Sequence, residues 1–248
     1  MSYIFGKKAL FDALKSNKDN IAVVNLMANN NLLINKLATL NIPYVAHKNQ
    51  DFFKQFPIHL NHQYIVTEIK TTKVTKSHAN DLKSFLLEKK DKKQMLVLIV
   101  DSLNDPQNFG AILRTCNVFG VDAVIYKNSN QVQVNDFVQK ASMGATLTLN
   151  MFKVANLSNA IELLKQNNFW VYATSLSDDA KYNDEIEYEN RTAIIVGNEE
   201  KGISPIVVKN SDFNIIIKMY GTMQSLNVSV ATGILLFEAR KQLEKKCK

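Results

Sequence analysis

Hydrophobic positions along the chain switch between a helical period and a strand period. Ala9, Leu10, Ala13 and Leu14 recur at helical spacing within Lys7 to Lys15, Ile21 to Met27 reads as a strand, and Leu32 to Leu40 returns to a helical pattern. Pro43 to Ala46 predicts a short strand, Asp51 to Phe56 a short helix with Asn49 near its start, and Gln63 to Ile69 a closing strand. Together they predict a small α/β unit over residues 1–69. Residues 70–80, from Lys-Thr-Thr-Lys-Val-Thr-Lys-Ser onward, are polar, basic and aperiodic, as a solvated linker requires.

A second unit is predicted over 81–248. It opens with a helix near Asp81 to Lys90, and Met95 to Val100 is an unbroken aliphatic run of the kind buried on both faces of a parallel sheet. Further strands fit Ala123 to Tyr126, Phe169 to Thr174, Thr192 to Val196 and Phe213 to Ile217. Helices fit Phe109 to Phe119, Asp136 to Met143, Leu157 to Gln166, Ile206 to Asn210 and Leu226 to Glu244. This alternation predicts a mostly parallel α/β domain.

Composition narrows the class. With 46% hydrophobic and 21% charged residues the chain is ordinary for a globular protein, and no apolar run approaches the roughly 18 residues of a membrane span. The start, Met1 to Gly6, lacks the apolar core of a secretory signal, which predicts a cytoplasmic protein. Cys116 and Cys247 fit neither a disulfide framework nor a thiolate metal site. His59 and His62 have no accompanying ligand cluster, so no metal is expected. Residues 1–90 hold 13 Lys against 6 Asp or Glu, a net of +7, whereas 91–248 hold 17 of each sign. The whole excess lies in the first third, which points to a module that faces a polyanion.

Ligands of open α/β sheets gather beyond the carboxyl ends of strands, so the loops there carry the candidate chemistry. The first runs from Asp101 through Asp105-Pro106-Gln107-Asn108-Phe109-Gly110 into a helix with Phe109, Ile112, Leu113 and Cys116 on one stripe and Arg114 off it. Locally, Asn108 reads as a helix cap and Arg114 as a solvated charge; the functional alternative is a phosphate or ribose contact from Arg114 with Asn108 placing the loop. The second loop is Gly197-Asn198-Glu199-Glu200-Lys201-Gly202, two glycines around carboxylates. The third, Ile217 to Asn227, ends at Ser225, read as the N-cap of a helix marked by Leu226, Val230, Gly233, Ile234 and Phe237. None of the three has the spacing of a dinucleotide fingerprint or a P-loop.

In this order, Asp105 to Gly110 with Arg114, Gly197-Asn198-Glu199 with Gly202, and Ser225-Leu226-Asn227-Val228-Ser229-Val230-Ala231 resemble the three motifs of the SpoU (TrmH-type) RNA ribose 2′-O-methyltransferases of the SPOUT superfamily. The likeness covers residues 95–244. Phe5-Gly6-Lys7-Lys8-Ala9-Leu10 and His62-Gln63 resemble the ribosomal-protein-L30e-like RNA-binding domain of many members, and the combination is most similar to enzymes acting on a guanosine ribose of 23S ribosomal RNA, with transfer-RNA enzymes as relatives.

The resemblance implies a C-terminal domain threaded into a deep trefoil knot, a homodimer with its sites at the interface, and S-adenosylmethionine as cofactor. It implies cofactor contacts at Thr174, Gly197, Ile217 and Leu226, and catalytic roles for Arg114, Asn108, Glu199, Ser225 and Asn227. Arg114 is either the proton acceptor, assisted by a phosphate, or the group that neutralises RNA phosphate and orients the ribose; free arginine almost never deprotonates. Three positions depart from the family pattern: Lys218 in place of proline, Glu200 in place of a common glycine, and Tyr64 where the N-terminal domain often has glycine. An RNA-binding protein of the same fold without turnover is the alternative they leave open.

Overall fold

The computed structural model describes residues 2–56, 62–69, 81–177, 179–198, 201–223 and 225–246. His59, the expected linker 70–80, Glu199, Glu200 and Cys247 lie outside the described residues. The chain packs as two units, Met1–Thr75 and Lys76–Lys248.

In the first unit, β1 (Ser2–Phe5), α1 (Lys7–Asn17), β2 (Ile21–Met27), α2 (Asn31–Thr39), β3 (Tyr44–His47), α3 (Asn49–Gln55) and β4 (Ile65–Ile69) build a sheet of order β1-β4-β2-β3. β4 runs antiparallel to both neighbours and β2 parallel to β3. β1 was not expected, because four residues before a glycine give too short a run to show a period. Phe52, Phe56, Met27 and Val66 form one core cluster there. His62 is buried against Phe52, accepts a hydrogen bond from the Tyr64 amide at Nδ1, and holds the Phe56 carbonyl with Nε2. Tyr64 has φ of +59°, a left-handed conformation that glycine adopts freely and that costs a side chain roughly 1 kcal/mol.

The second unit contains α4 (Leu82–Glu88), β5 (Met95–Asp101), α5 (Pro106–Val118), β6 (Ala123–Lys127), α6 (Asp136–Ala141), β7 (Met151–Val154), α7 (Leu157–Gln166), β8 (Trp170–Thr174), β9 (Lys181–Tyr182), β10 (Arg191–Gly197), α8 (Pro205–Lys209), β11 (Phe213–Ile216) and α9 (Val228–Lys245). Its sheet has the order β7-β6-β5-β10-β8-β11-β9, and every pairing is parallel. The sheet therefore presents the carboxyl ends of all these strands along one edge. The short β7 and β9 carried too little pattern to be foreseen.

β5 shows why the unit has three layers. Leu96, Leu98 and Val100 pack with Phe109, Ile112 and Leu113 of α5 and Leu235, Leu236 and Ala239 of α9. Met95, Val97 and Ile99 face Phe85 of α4 and Ile161 and Leu164 of α7. Alternate side chains of one strand thus feed two cores, as a run buried on both faces must. Gly110 sets the spacing of α5 and α6, since a Cβ there would lie 2.3 Å from Ala141 Cβ.

The first core contains one uncompensated group. Tyr188 is fully buried against Tyr172, and among the described residues its hydroxyl has no hydrogen-bond partner. Tyr188→Phe is expected to raise stability in urea unfolding by about 1 kcal/mol, the cost of one unmet buried hydroxyl. A loss of stability would mean that the hydroxyl is satisfied in solution.

Candidate active site

β10 runs between β5 and β8, so the loops after β5 and β10 leave the sheet side by side. Two ties lock them together. Asn198 donates from Nδ2 to the Ser102 carbonyl at 3.0 Å, and the Ser204 amide donates to Asp101 Oδ2 at 2.8 Å. Asp101 ends β5 and is fully buried; its Oδ1 accepts from Ser102 Oγ and pairs with Lys127 Nζ of β6, both at 2.7 Å. Burial alone would raise the Asp101 pKa, but the Lys127 ammonium and the hydrogen bonds from Ser204 and Ser102 outweigh it and hold the carboxyl below its ordinary value. One carboxylate thus ties the ends of two strands to the segment that leads into α8. It lies in the first loop read from the sequence, where nothing local distinguishes it from a turn residue.

The second loop is a tight chain reversal. Asn198 and Gly202 exchange backbone hydrogen bonds of 3.0 and 2.9 Å, and the Lys201 amide donates to Asn198 Oδ1. Gly197 is obligatory here, because a Cβ would come within 2.4 Å of the Gly202 carbonyl carbon and 2.5 Å of the Ile203 nitrogen.

Beside this reversal the third loop closes a cavity of about 670 Å³, within the roughly 300–1,000 Å³ typical of small-ligand sites. Gly197, Ile217, Leu226, Thr174 and Ser225 all line it, together with Tyr182, Lys201 and Met219. Four of these are the expected cofactor contacts. Thr174 is held by its hydroxyl donating to the Ile195 carbonyl at 3.0 Å. Among the described lining residues none is Asp or Glu, and the walls are largely aliphatic, so ligand polar groups would meet backbone and hydroxyls.

Two caps differ from expectation. Ser225 does not cap α9; Asn227 does, accepting from the Ser229 amide at 2.9 Å, which leaves Ser225 and Leu226 in the loop against the cavity. Asn108 does not cap α5 either. Asp105 does, accepting from the amides of Gln107 and Asn108, with Pro106 supplying a preset φ at the first helical position. Asn108 is thereby released to accept a hydrogen bond from Asn227 Nδ2 at 3.0 Å, which joins the first motif to the third.

Arg114 is not brought to the cavity lining of its own chain. It is exposed on α5, about 9 Å along the helix axis from Asn108. Four residues further on the same face stands Val118, 70% exposed, and Phe119 packs edge-on to Phe237. The residues that marked α9 in the sequence prove to be its outer stripe: Val230, Ile234 and Phe237 are exposed, while Val228, Thr232, Leu235, Leu236, Ala239 and Leu243 form the buried face. α9 therefore has two apolar faces.

The SpoU rRNA methylase family model matches residues 95–237, more than half of the chain. A Mycoplasma pneumoniae protein named as an uncharacterized tRNA/rRNA methyltransferase is 38% identical over 239 residues, covering 95% of this chain and 96% of its own. Two solved structures share the fold: one described as an RNA 2′-O ribose methyltransferase, with TM-score 0.76 at 22% identity over 97% of this chain and 88% of that one, and an rRNA methyltransferase from Sinorhizobium meliloti with bound AdoMet, with TM-score 0.73 at 21% identity over 97% and 87%.

Asp101→Asn is expected to cost about 3 kcal/mol at neutral pH, since it leaves Lys127, only 21% exposed, without its counter-charge. Because the folded pKa of Asp101 lies below its unfolded value, its contribution is complete above the ordinary carboxylate range and fades as pH falls through the folded pKa. Urea midpoints measured from neutral pH down to about pH 3 should converge between wild type and variant. A constant gap would contradict this role.

Proposed function

The chain belongs to the SpoU rRNA methylase family, and from that premise we propose that it transfers a methyl group from S-adenosylmethionine to a ribose 2′-hydroxyl of structured RNA, a guanosine of 23S ribosomal RNA first among candidates. The observation that carries this reading is the convergence of the loops after β8, β10 and β11 on one cavity, with the loop after β5 tied to them through Ser102 and Asn108. Its size and aliphatic walls suit an adenosine moiety. The backbone of Gly197, Ile217 and Leu226 would hold the adenosine, with Thr174 at its edge. S-adenosylmethionine, when bound, supplies a methyl group on a sulfonium centre.

The protein's own task is alignment. An in-line displacement gains much of its acceleration from holding the nucleophile against the methyl in a fixed approach. Asn108 and Asn227, bonded to each other, set the two loops, Ser225 faces the ribose, and the resemblance adds Glu199 to the catalytic set. A guanidinium does not readily give up its proton, so Arg114 acts by neutralising the RNA phosphate and orienting the ribose.

Arg114 reaches this place from the partner subunit of a homodimer formed through the outer stripe of α9 and Val118. Residues 1–69, with their L30e-like pattern and surplus lysines, grip RNA through its phosphates, 70–80 is the linker, and 81–248 is the knotted catalytic domain of a cytoplasmic enzyme.

Unmodified 23S and transfer-RNA transcripts incubated with methyl-labelled S-adenosylmethionine test the reading. Label should appear at one ribose of the 23S transcript and block alkaline cleavage there; label on transfer RNA alone would redirect the substrate, and none on any RNA would end the proposal. Arg114→Ala and Gly197→Ala should each abolish transfer, yet mixed subunits should recover about a quarter of wild-type activity, because half the dimers then hold one intact shared site of two. No recovery would place Arg114 in its own chain's site.

A further inference from the structure

The segment between Ile217 and Ser225 carries side chains that the reaction above leaves unused. Tyr220 is 87% exposed and Met223 76% exposed, while their neighbour Met219 lines the cavity. Scattered apolar residues on a surface need no explanation, but Tyr220 directly follows a residue of the cavity wall and is held by a cation. Lys218 Nζ lies 5.1 Å from the centroid of the Tyr182 ring, itself part of the cavity wall, and 5.6 Å from that of Tyr220. The ammonium therefore links a ring inside the cavity to a ring outside it. Tyr220 contacts no other ring among the described residues.

The electrostatics of the rim favour an anionic partner. Lys201 lines the cavity beside this segment, and among the described residues neither Lys201 nor Lys218 forms an ion pair. A single-stranded nucleotide suits this rim well. Its base offers a flat face to an aromatic ring whatever its identity, and its phosphate offers the negative charge. To present one ribose 2′-hydroxyl, structured RNA must splay out a nucleotide, and the base that loses its stacking partner needs another.

We propose that Tyr220, steadied by Lys218 against Tyr182, is a stacking platform for an unpaired nucleobase beside the methylated ribose, with Lys218 contacting the adjoining phosphate. This inference rests on the RNA-methylating reading of the same cavity and adds a contact that positions the substrate. It also gives Lys218 a purpose: where the family has a proline, this chain has a charge that bridges two aromatic faces.

A short single-stranded RNA carrying 2-aminopurine, whose fluorescence is quenched when it stacks on an aromatic ring, tests the platform in the presence of S-adenosylhomocysteine. Wild-type protein and Tyr220→Phe should quench it; Tyr220→Ala should not. Lys218→Ala should weaken binding and lower the salt slope by about 1, the signature of one phosphate contact. With the transcript that the wild type methylates, Tyr220→Ala should raise KM about tenfold while leaving kcat and S-adenosylhomocysteine affinity within about twofold.

Quenching by Tyr220→Ala equal to that of wild type would overturn the proposal, as would a Phe variant as impaired as the Ala variant or a loss of cofactor affinity. A change in the oligomer mass of Tyr220→Ala would instead assign the ring to a subunit contact and overturn it too. If the wild type methylates no RNA and quenching still depends on Tyr220, the platform stands and the methyl-transfer reading falls.

Discussion

Asp101 is the point on which the catalytic unit turns. A buried carboxylate at the end of β5 must be matched on every side, and here the match comes from three separate parts of the chain: Lys127 on β6, Ser102 in its own loop and the Ser204 amide beyond β10. Removing a charge from water is costly unless it is paired and hydrogen-bonded, so each partner is constrained to its place. The return of the chain after Gly202 is therefore pinned to the strand beside it, and Gly197, which tolerates no Cβ, sits within the resulting turn. The cavity wall follows from this clasp and from the insertion of β10 between β5 and β8.

Much of this was legible before any coordinates. The strand at Ile21–Met27 and the helix at Leu157–Gln166 appear where their periods put them, and the aliphatic run beginning at Met95 is the buried centre of a parallel sheet. Periodicity reports burial, so it reports long elements well and two- to four-residue strands such as β1 and β9 poorly. Helix caps are less legible for a related reason. Ser225 and Asn108 both have the chemistry of a helix cap, but the neighbouring Asn227 and Asp105 take that role, and only the fold decides among adjacent candidates.

The site divides in the same way. Gly197, Ile217, Leu226, Thr174 and Ser225 fall on one cavity because they end parallel strands or lead into the following helix, a relation that sequence order already implies. Asp101, Lys127 and Ser204 cannot be joined from sequence, since Asp101 and Ser204 lie 103 residues apart in the chain. Arg114 stayed ambiguous for a different reason: one chain alone leaves it on an exposed face. The exposed stripe of Val230, Ile234 and Phe237 on α9 is the feature that supports the proposed pairing of subunits.

The account stands on one cavity serving as the methyl-donor pocket, and a crystal structure of the full chain grown with S-adenosylhomocysteine addresses it most directly. The adenine should lie against the backbone of Gly197, Ile217 and Leu226, with the sulfur turned toward Ser225 and Arg114 of the partner subunit. Ligand density elsewhere on the molecule, or a binding-competent protein whose three loops enclose no ligand, would contradict it.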